Sequence, residues 1–293
     1  MFGKKVQKGL DITRESWQVL RQDTELLLFP VFSALAGLTI LATITSAGLL
    51  IPGLGQWLVK MLQERKAETL GEQALGIVCL FVVYFVQWFV VVFFNTALVG
   101  CALMRFSGGD PTVKDGFRIA FQRLPQIVAW TLFVSAVGTL LSAIEQKLGW
   151  LGKLIIRFIG LTWAIATYFV VPVLAAEGTG PLTAVRRSVE LLKKSWGEGL
   201  TGNFTIQVVS WFVALPAIFL AVGGFVLAAL LESVVLAVLT GALAIFGLIV
   251  LAIVSSALRQ IFLAGLYRFA TTGQVPHGFS EDSMRRALRP KTA

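Results

Sequence analysis

The sequence predicts an all-α, polytopic membrane protein: a bundle of six transmembrane helices with three amphipathic helices on the cytoplasmic side, arranged as a threefold helix–span–span repeat. Three observations predict it. Hydrophobic residues make up 56% of the 293 positions and charged residues only 14%, where soluble domains carry about a quarter charged. Six apolar runs each approach or exceed the roughly 20 residues that a helix needs to cross about 30 Å of hydrocarbon. Three of those runs follow a short, basic, amphipathic stretch.

In chain order the runs cover residues 26–51, 74–104, 126–144, 151–176, 204–231 and 234–269. Their apolar residues are continuous, with Gly and Ala scattered among them, as in spanning helices; barrel strands would alternate over about ten residues. The second and sixth runs are longer than a span requires, so tilt or continuation into the interface is expected. The first begins after the mostly polar residues 1–25 and is too long for the core of a cleavable signal, so it reads as a retained span. The whole chain is expected to form one integral membrane domain. Its repeat units lie at about residues 8–104, 110–176 and 181–272, with a tail at 273–293.

The amphipathic stretches define the repeat. In residues 10–22, Leu10, Ile12, Thr13, Ser16, Trp17, Val19 and Leu20 share one half of the helical wheel, opposite Arg14, Gln18 and Arg21. In residues 112–124, Val113, Phe117, Ala120, Phe121 and Leu124 oppose Lys114 and Arg118. In residues 182–196, Val185, Val189, Leu192 and Trp196 oppose Arg187, Glu190 and Lys194. Aligned by face, Ser16, Gly116 and Ser188 coincide, small residues that permit close approach to a span. Turns ending in Pro111 and Pro181 precede the second and third copies, Pro being suited to the first helical position. Pro276 precedes residues 280–288, a degenerate fourth copy. Arg105 and Arg268, each followed by Phe just before a turn, read as interface anchors whose guanidinium groups snorkel to headgroups. Residues 57–71 allow a short interfacial helix, and Glu232 marks a tight turn between the last two spans.

Charge sets the expected orientation. If all six runs span, Lys60, Arg65, Lys66, Lys147, Lys153 and Arg157 lie on one side, leaving 19 of the 25 basic residues on the other. The positive-inside rule then places both termini in the cytoplasm. The net charge of +9 is thereby explained by topology and by attraction to anionic lipid, and nucleic acid is not expected as a partner.

No catalytic constellation is visible, so no enzyme, cofactor or metal site is expected. His277 is the single histidine, which removes histidine metal clusters and Ser–His–Asp triads. Cys79 and Cys101 lie in one expected span, roughly 33 Å apart along a helix, and cannot pair within it. Polar side chains inside spans are the remaining candidates, because burial there is costly. They are Gln87, Asn95, Glu177, Gln207 and Arg259. Arg259 is the sharpest of these, and Asn95, Gln87 and Gln207 are candidates to line the same cavity. Among the acids, only Glu177 and Glu232 are expected near the apolar region, Glu177 pairing with a nearby Arg. Kinks are expected at Pro172 and Pro216.

Residues 172–203, from Pro-Val-Leu-Ala-Ala-Glu-Gly-Thr-Gly-Pro through Arg-Arg-Ser-Val-Glu-Leu-Leu-Lys-Lys-Ser-Trp, resemble a bacterial and archaeal family of six-span integral membrane proteins of unknown function. Residues 16–30 look like its opening signature. More distantly, the layout is similar to the membrane domain attached to some glycerophosphodiester phosphodiesterases, without their catalytic domain. The resemblance implies a fold and carries no catalytic residues. The expectation is a non-enzymatic inner-membrane protein that binds lipids, anionic ones above all, or other membrane proteins or itself. Headgroup contacts are expected at Arg14, Arg21, Lys114, Arg118, Arg186, Arg187, Lys193 and Lys194. The alternative is a transporter or channel for a small or amphipathic solute.

Overall fold

The computed structural model describes residues 2–50, 70–194, 214–216, 218–220, 222–228, 230–281 and 284. No strand occurs among them. Helix α1 (Phe2–Gln22) leads through a 3-10 turn (Thr24–Leu27) into α2 (Leu28–Leu50). There follow α3 (Leu70–Phe106), α4 (Val113–Gln122), α5 (Leu124–Lys147), α6 (Trp150–Ala166), α7 (Val170–Glu177), α8 (Pro181–Lys194) and α9 (Val234–Thr272).

Among the described residues, five segments are long and apolar enough to cross a membrane: Thr24–Leu50, Ala74–Phe106, Leu124–Glu145, Gly152–Glu177 and Val234–Thr272. Their outward faces carry Leu38, Val82, Leu140, Phe158 and Val238, all exposed. Such faces are costly in water and are what a bilayer covers. The chain is therefore a multi-pass, all-helical membrane protein. Of the expected span at 204–231, the described residues between 214 and 228 are helical and apolar. Its first ten residues, Gln207 among them, lie outside the described residues, as do positions 57–69, Trp196 and most of 280–288.

The two longest helices use their length for packing within the protein. At 1.5 Å per residue α9 runs about 58 Å, nearly twice the hydrocarbon thickness. Its first half is largely exposed, whereas Ala257, Leu258, Ile261, Phe262, Ala264 and Leu266 are buried. In α3 burial likewise concentrates late, from Val92 to Ala102.

The chain divides into two compact units. One comprises Met1–Pro30, Leu98–Asp115 and Leu191–Ala293. Here α1 packs along α9, and the 3-10 turn packs against both. Glu232 takes a positive φ of 48° in the tight turn before α9, and the Ser233 hydroxyl then caps that helix by accepting from the Leu236 N–H at 3.4 Å. Beyond α9 the chain folds back: Phe279 meets Phe106 edge-on at 5.8 Å and lies against Gly265, while Gly278 fits against Val19.

The other unit comprises Val31–Ala97 and Gly116–Glu190. Phe32, Phe93, Phe94 and Phe117 form an aromatic cluster with centroid distances of 5.4–6.2 Å. Trp130 of α5 stacks on Trp163 of α6 at 6.3 Å. The fourth span breaks between α6 and α7, at Thr167–Phe169. Pro172 explains the position: it has no N–H for the Tyr168 carbonyl, and its ring crowds that carbonyl. The break strands the Phe169 N–H, which donates to Ser188 Oγ at 3.0 Å. Ser188 is fully buried, so this small residue serves as a hydrogen-bond acceptor as well as permitting close approach.

Three helices end alike. Gly108, Gly178 and Gly273 take φ of 85°, 61° and 70°, and each is followed three residues later by proline: Pro111, Pro181 and Pro276. The glycine supplies the left-handed backbone that stops a helix, and the proline supplies a fixed φ for the next segment.

Candidate functional site: charged helix faces and span-end charges

The three charged helices bury small or apolar residues and expose basic ones. In α1, Ile12, Ser16, Val19 and Leu20 are buried while Arg14 and Arg21 are exposed. In α4, Gly116 and Ala120 are buried while Lys114 and Arg118 are exposed. In α8, Ala184, Ser188, Leu191 and Leu192 are buried while Arg186 and Lys193 are exposed. Arg187 differs: it is half-buried and bonds Glu177 at 3.0 Å and Glu190 at 3.3 Å, so its charge is engaged by carboxylates. The side chain of Lys194 lies outside the described residues.

Each of these helices also exposes one large apolar side chain beside a basic one. Trp17 is 37% exposed, with the Arg21 guanidinium carbon 5.7 Å from its ring centre. Phe121 is 60% and Leu182 64% exposed, placed three or four residues from Arg118 and Arg186, which is the same-face spacing of a helix. The wheel puts Trp17 and Phe121 on the apolar face. Trp17 sits at its edge, and Phe121, although exposed, also meets Phe93 edge-on at 5.2 Å.

Helix α4 starts where capping allows it. The Thr112 hydroxyl accepts from the Asp115 N–H at 3.3 Å, the Asp115 carboxylate accepts from the Thr112 N–H at 3.0 Å, and Glu25 accepts from the Val113 N–H at 3.1 Å.

The span ends hold charges that the sequence reading places differently. Arg105 does not reach for headgroups as an anchor. Its Nε and Nη2 donate to both oxygens of Asp23, and Nη2 also donates to Asp110 at 2.5 Å. The Asp23 side chain is 6% exposed and that of Arg105 21%, whereas that of Asp110 is 92% exposed. Asp23 is thus the principal, desolvated partner. Asp23 is a buried acid that the sequence reading does not single out. Its signal is its place three residues before the first apolar run.

Arg123, at the end of α4, donates to the carbonyls of Ala175 at 3.3 Å and Ala176 at 3.2 Å, on the last turn of α7. A cation there meets the negative end of the helix dipole. Its guanidinium lies over Gly178, where an added Cβ would stand 2.2 Å from Nη1. No spacing rule singles out Arg123, because its partners are backbone atoms distant in sequence.

Gln87 is exposed and Asn95 half-buried. Among the described residues, neither bonds to Glu177, whose carboxylate is held by Arg187. Arg259, in the other unit, is half-buried, and its Nε donates to the Ser255 carbonyl at 3.4 Å. Cys101 is buried with its thiol 3.6 Å from the Thr112 carbonyl, and Cys79 is half-buried; neither is in a disulfide.

Long apolar helices joined to shorter, charged ones define a multi-pass helical membrane protein. A family model described as a family of unknown function, DUF6159, matches residues 74–278. The chain belongs to that family. No curated protein matches it.

Proposed function

We propose that the chain is a non-enzymatic membrane protein that binds lipids, anionic ones foremost, or other membrane proteins. The observation that carries this reading is the exposed pairing of an apolar with a basic side chain on all three charged helices: Trp17 with Arg21, Phe121 with Arg118, Leu182 with Arg186. A helix lying at the bilayer surface needs both, one for the acyl boundary and one for the headgroups. The recurring left-handed Gly and Pro, and the buried Ser16, Gly116 and Ser188, support a threefold helix–span–span repeat with a sixth span at 204–231. Charge asymmetry supports cytoplasmic termini. The resemblance of residues 172–203 supports a bacterial or archaeal cytoplasmic membrane and distant kinship with the membrane domain of glycerophosphodiester phosphodiesterases.

Lipid enrichment tests the proposal. In nanodiscs of mixed phosphatidylcholine and phosphatidylglycerol, the wild-type chain is expected to enrich phosphatidylglycerol in its lipid annulus. Each basic residue near a membrane surface contributes about 1 kcal/mol, roughly a fivefold preference at that site. The double variant Arg186→Glu/Lys193→Glu is expected to lose most of the enrichment at α8, and an unchanged lipid ratio would sink the reading.

A second reading, a transporter or channel, draws on three hydroxyls. Helical Ser and Thr in this chain commonly donate to the carbonyl four residues back, as Thr39, Thr131 and Thr240 do. Thr96, Ser135 and Thr139 are buried and make no such bond. One labelling experiment addresses both pathway and topology. In a chain freed of Cys79 and Cys101, Gly149→Cys should react with an impermeant thiol reagent applied outside intact cells, and Asp110→Cys should not. Reactivity at both, or at Asp110→Cys alone, would overturn the orientation. Reaction at Ser135→Cys would favour the transporter reading, and its full protection would count against it.

A further inference from the structure

Arg105 and Arg268 hold like positions, each followed by Phe at the end of a long helix and both within one unit, yet their environments differ. Arg105 is neutralised by Asp23 and Asp110. Arg268 is half-buried and has no carboxylate partner among the described residues. Its Nη1 donates to Ser107 Oγ at 2.5 Å, while its Nε is buried with no acceptor among the described residues.

At the nearby helix ends, other donors cover the carbonyls of the preceding turn. On α9, the Thr271 hydroxyl donates to the Tyr267 carbonyl at 2.9 Å, and the Thr272 hydroxyl and Gly273 N–H cover the Arg268 and Phe269 carbonyls. On α3, the Ser107 hydroxyl and N–H cover the Leu103 and Met104 carbonyls, and the Gly108 N–H covers that of Arg105. Ser107 is spent twice, donating to Leu103 and accepting from Arg268. It therefore orients the guanidinium through Nη1 and leaves the terminal Nη2 donors unspent, whereas the buried Nε faces the protein. A fixed, partly desolvated guanidinium with unspent donors recognises a phosphate oxyanion in bidentate fashion. At the end of a spanning helix, the phosphate within reach is that of a phospholipid headgroup.

We propose that Arg268, positioned by Ser107, binds the phosphate of one phospholipid headgroup where α3 and α9 end. This deepens the lipid-binding reading and rests on it, through a residue separate from the charged helix faces.

The test uses the full chain, delipidated in a non-ionic detergent and titrated with phosphatidylglycerol, with bound lipid counted by native mass spectrometry. Wild type is expected to take up one tightly held phosphatidylglycerol. Arg268→Gln should bind it about tenfold more weakly, the loss expected for one charge-assisted contact, with Arg268→Lys in between. Ser107→Ala, an exposed site with little bearing on folding, should also weaken binding if Arg268→Gln fails to fold. Wild-type affinity in either folded variant overturns the proposal, as does equal binding of a diacylglycerol that lacks phosphate. Inorganic phosphate is expected not to displace the lipid, and displacement would reassign the site to a free anion. Arg186→Glu/Lys193→Glu should leave this lipid bound. Its loss there would transfer the binding to the helix faces and overturn the role of Arg268, whereas loss in Arg268→Gln alone, with annular enrichment intact, supports it.

Discussion

Asp23→Leu is expected to destabilise the protein by about 3–5 kcal/mol, the cost of breaking a desolvated ion pair by removing one partner. The carboxylate is nearly inaccessible and receives two N–H donors of Arg105. Without it the guanidinium keeps only Asp110, which is almost fully in solvent and therefore stabilises little. Arg105→Leu should cost a similar amount, because Asp23 would then be buried without its cation. The double variant Asp23→Leu/Arg105→Leu should recover much of the loss, since two apolar groups of matching volume replace a pair whose desolvation is costly. Thermal unfolding of all three variants in one detergent checks this. Strictly additive losses would show that the two side chains stabilise the fold independently.

Gly178→Ala carries the second large effect, expected at about 2–4 kcal/mol. Left-handed φ costs an L-residue roughly 1–2 kcal/mol. The new methyl would also collide with the Arg123 guanidinium. That group sits at the end of a flexible side chain and can move, but moving it gives up the bonds to the Ala175 and Ala176 carbonyls and leaves the end of α7 uncapped. Gly273 provides the control. It shares the positive φ but has nothing within 4 Å of an added Cβ, so Gly273→Ala should cost only the backbone term. Introducing Gly178→Ala into an Arg123→Ala background should shrink its cost to that same value. If the cost stays the same in both backgrounds, Arg123 is not what makes Gly178 necessary.

The placement of the long apolar helices was legible in the sequence because it depends on quantities that add along the chain. Lengths and continuity of apolar residues locate the first four spans and the last to within a few residues, and the charge pattern marks α1, α4 and α8 as two-faced. Ser16, Gly116 and Ser188, picked out by aligning the wheels, are all buried. The break in the fourth span follows from Pro172, although its turn falls at Thr167–Phe169, because proline disrupts the turn before its own position.

Partner choice was not legible. Arg105 and Arg268 look alike in sequence, each an Arg followed by Phe before a glycine turn, yet one is tied to Asp23, 82 residues away, and the other to Ser107, 161 residues away. Arg123 meets backbone carbonyls, which leave no mark in the pattern of residue types. Trp17 and Phe121 lie on the apolar faces and yet are exposed, because periodicity reports a side chain's direction and not how far a neighbouring helix covers it. By itself the sequence determined that this is an all-helical membrane protein and where its helices turn, since hydropathy, proline and glycine act locally. Only the tertiary structure decided which charges are cancelled by carboxylates, because an ion pair depends on distance in space, which residue order along the chain does not encode.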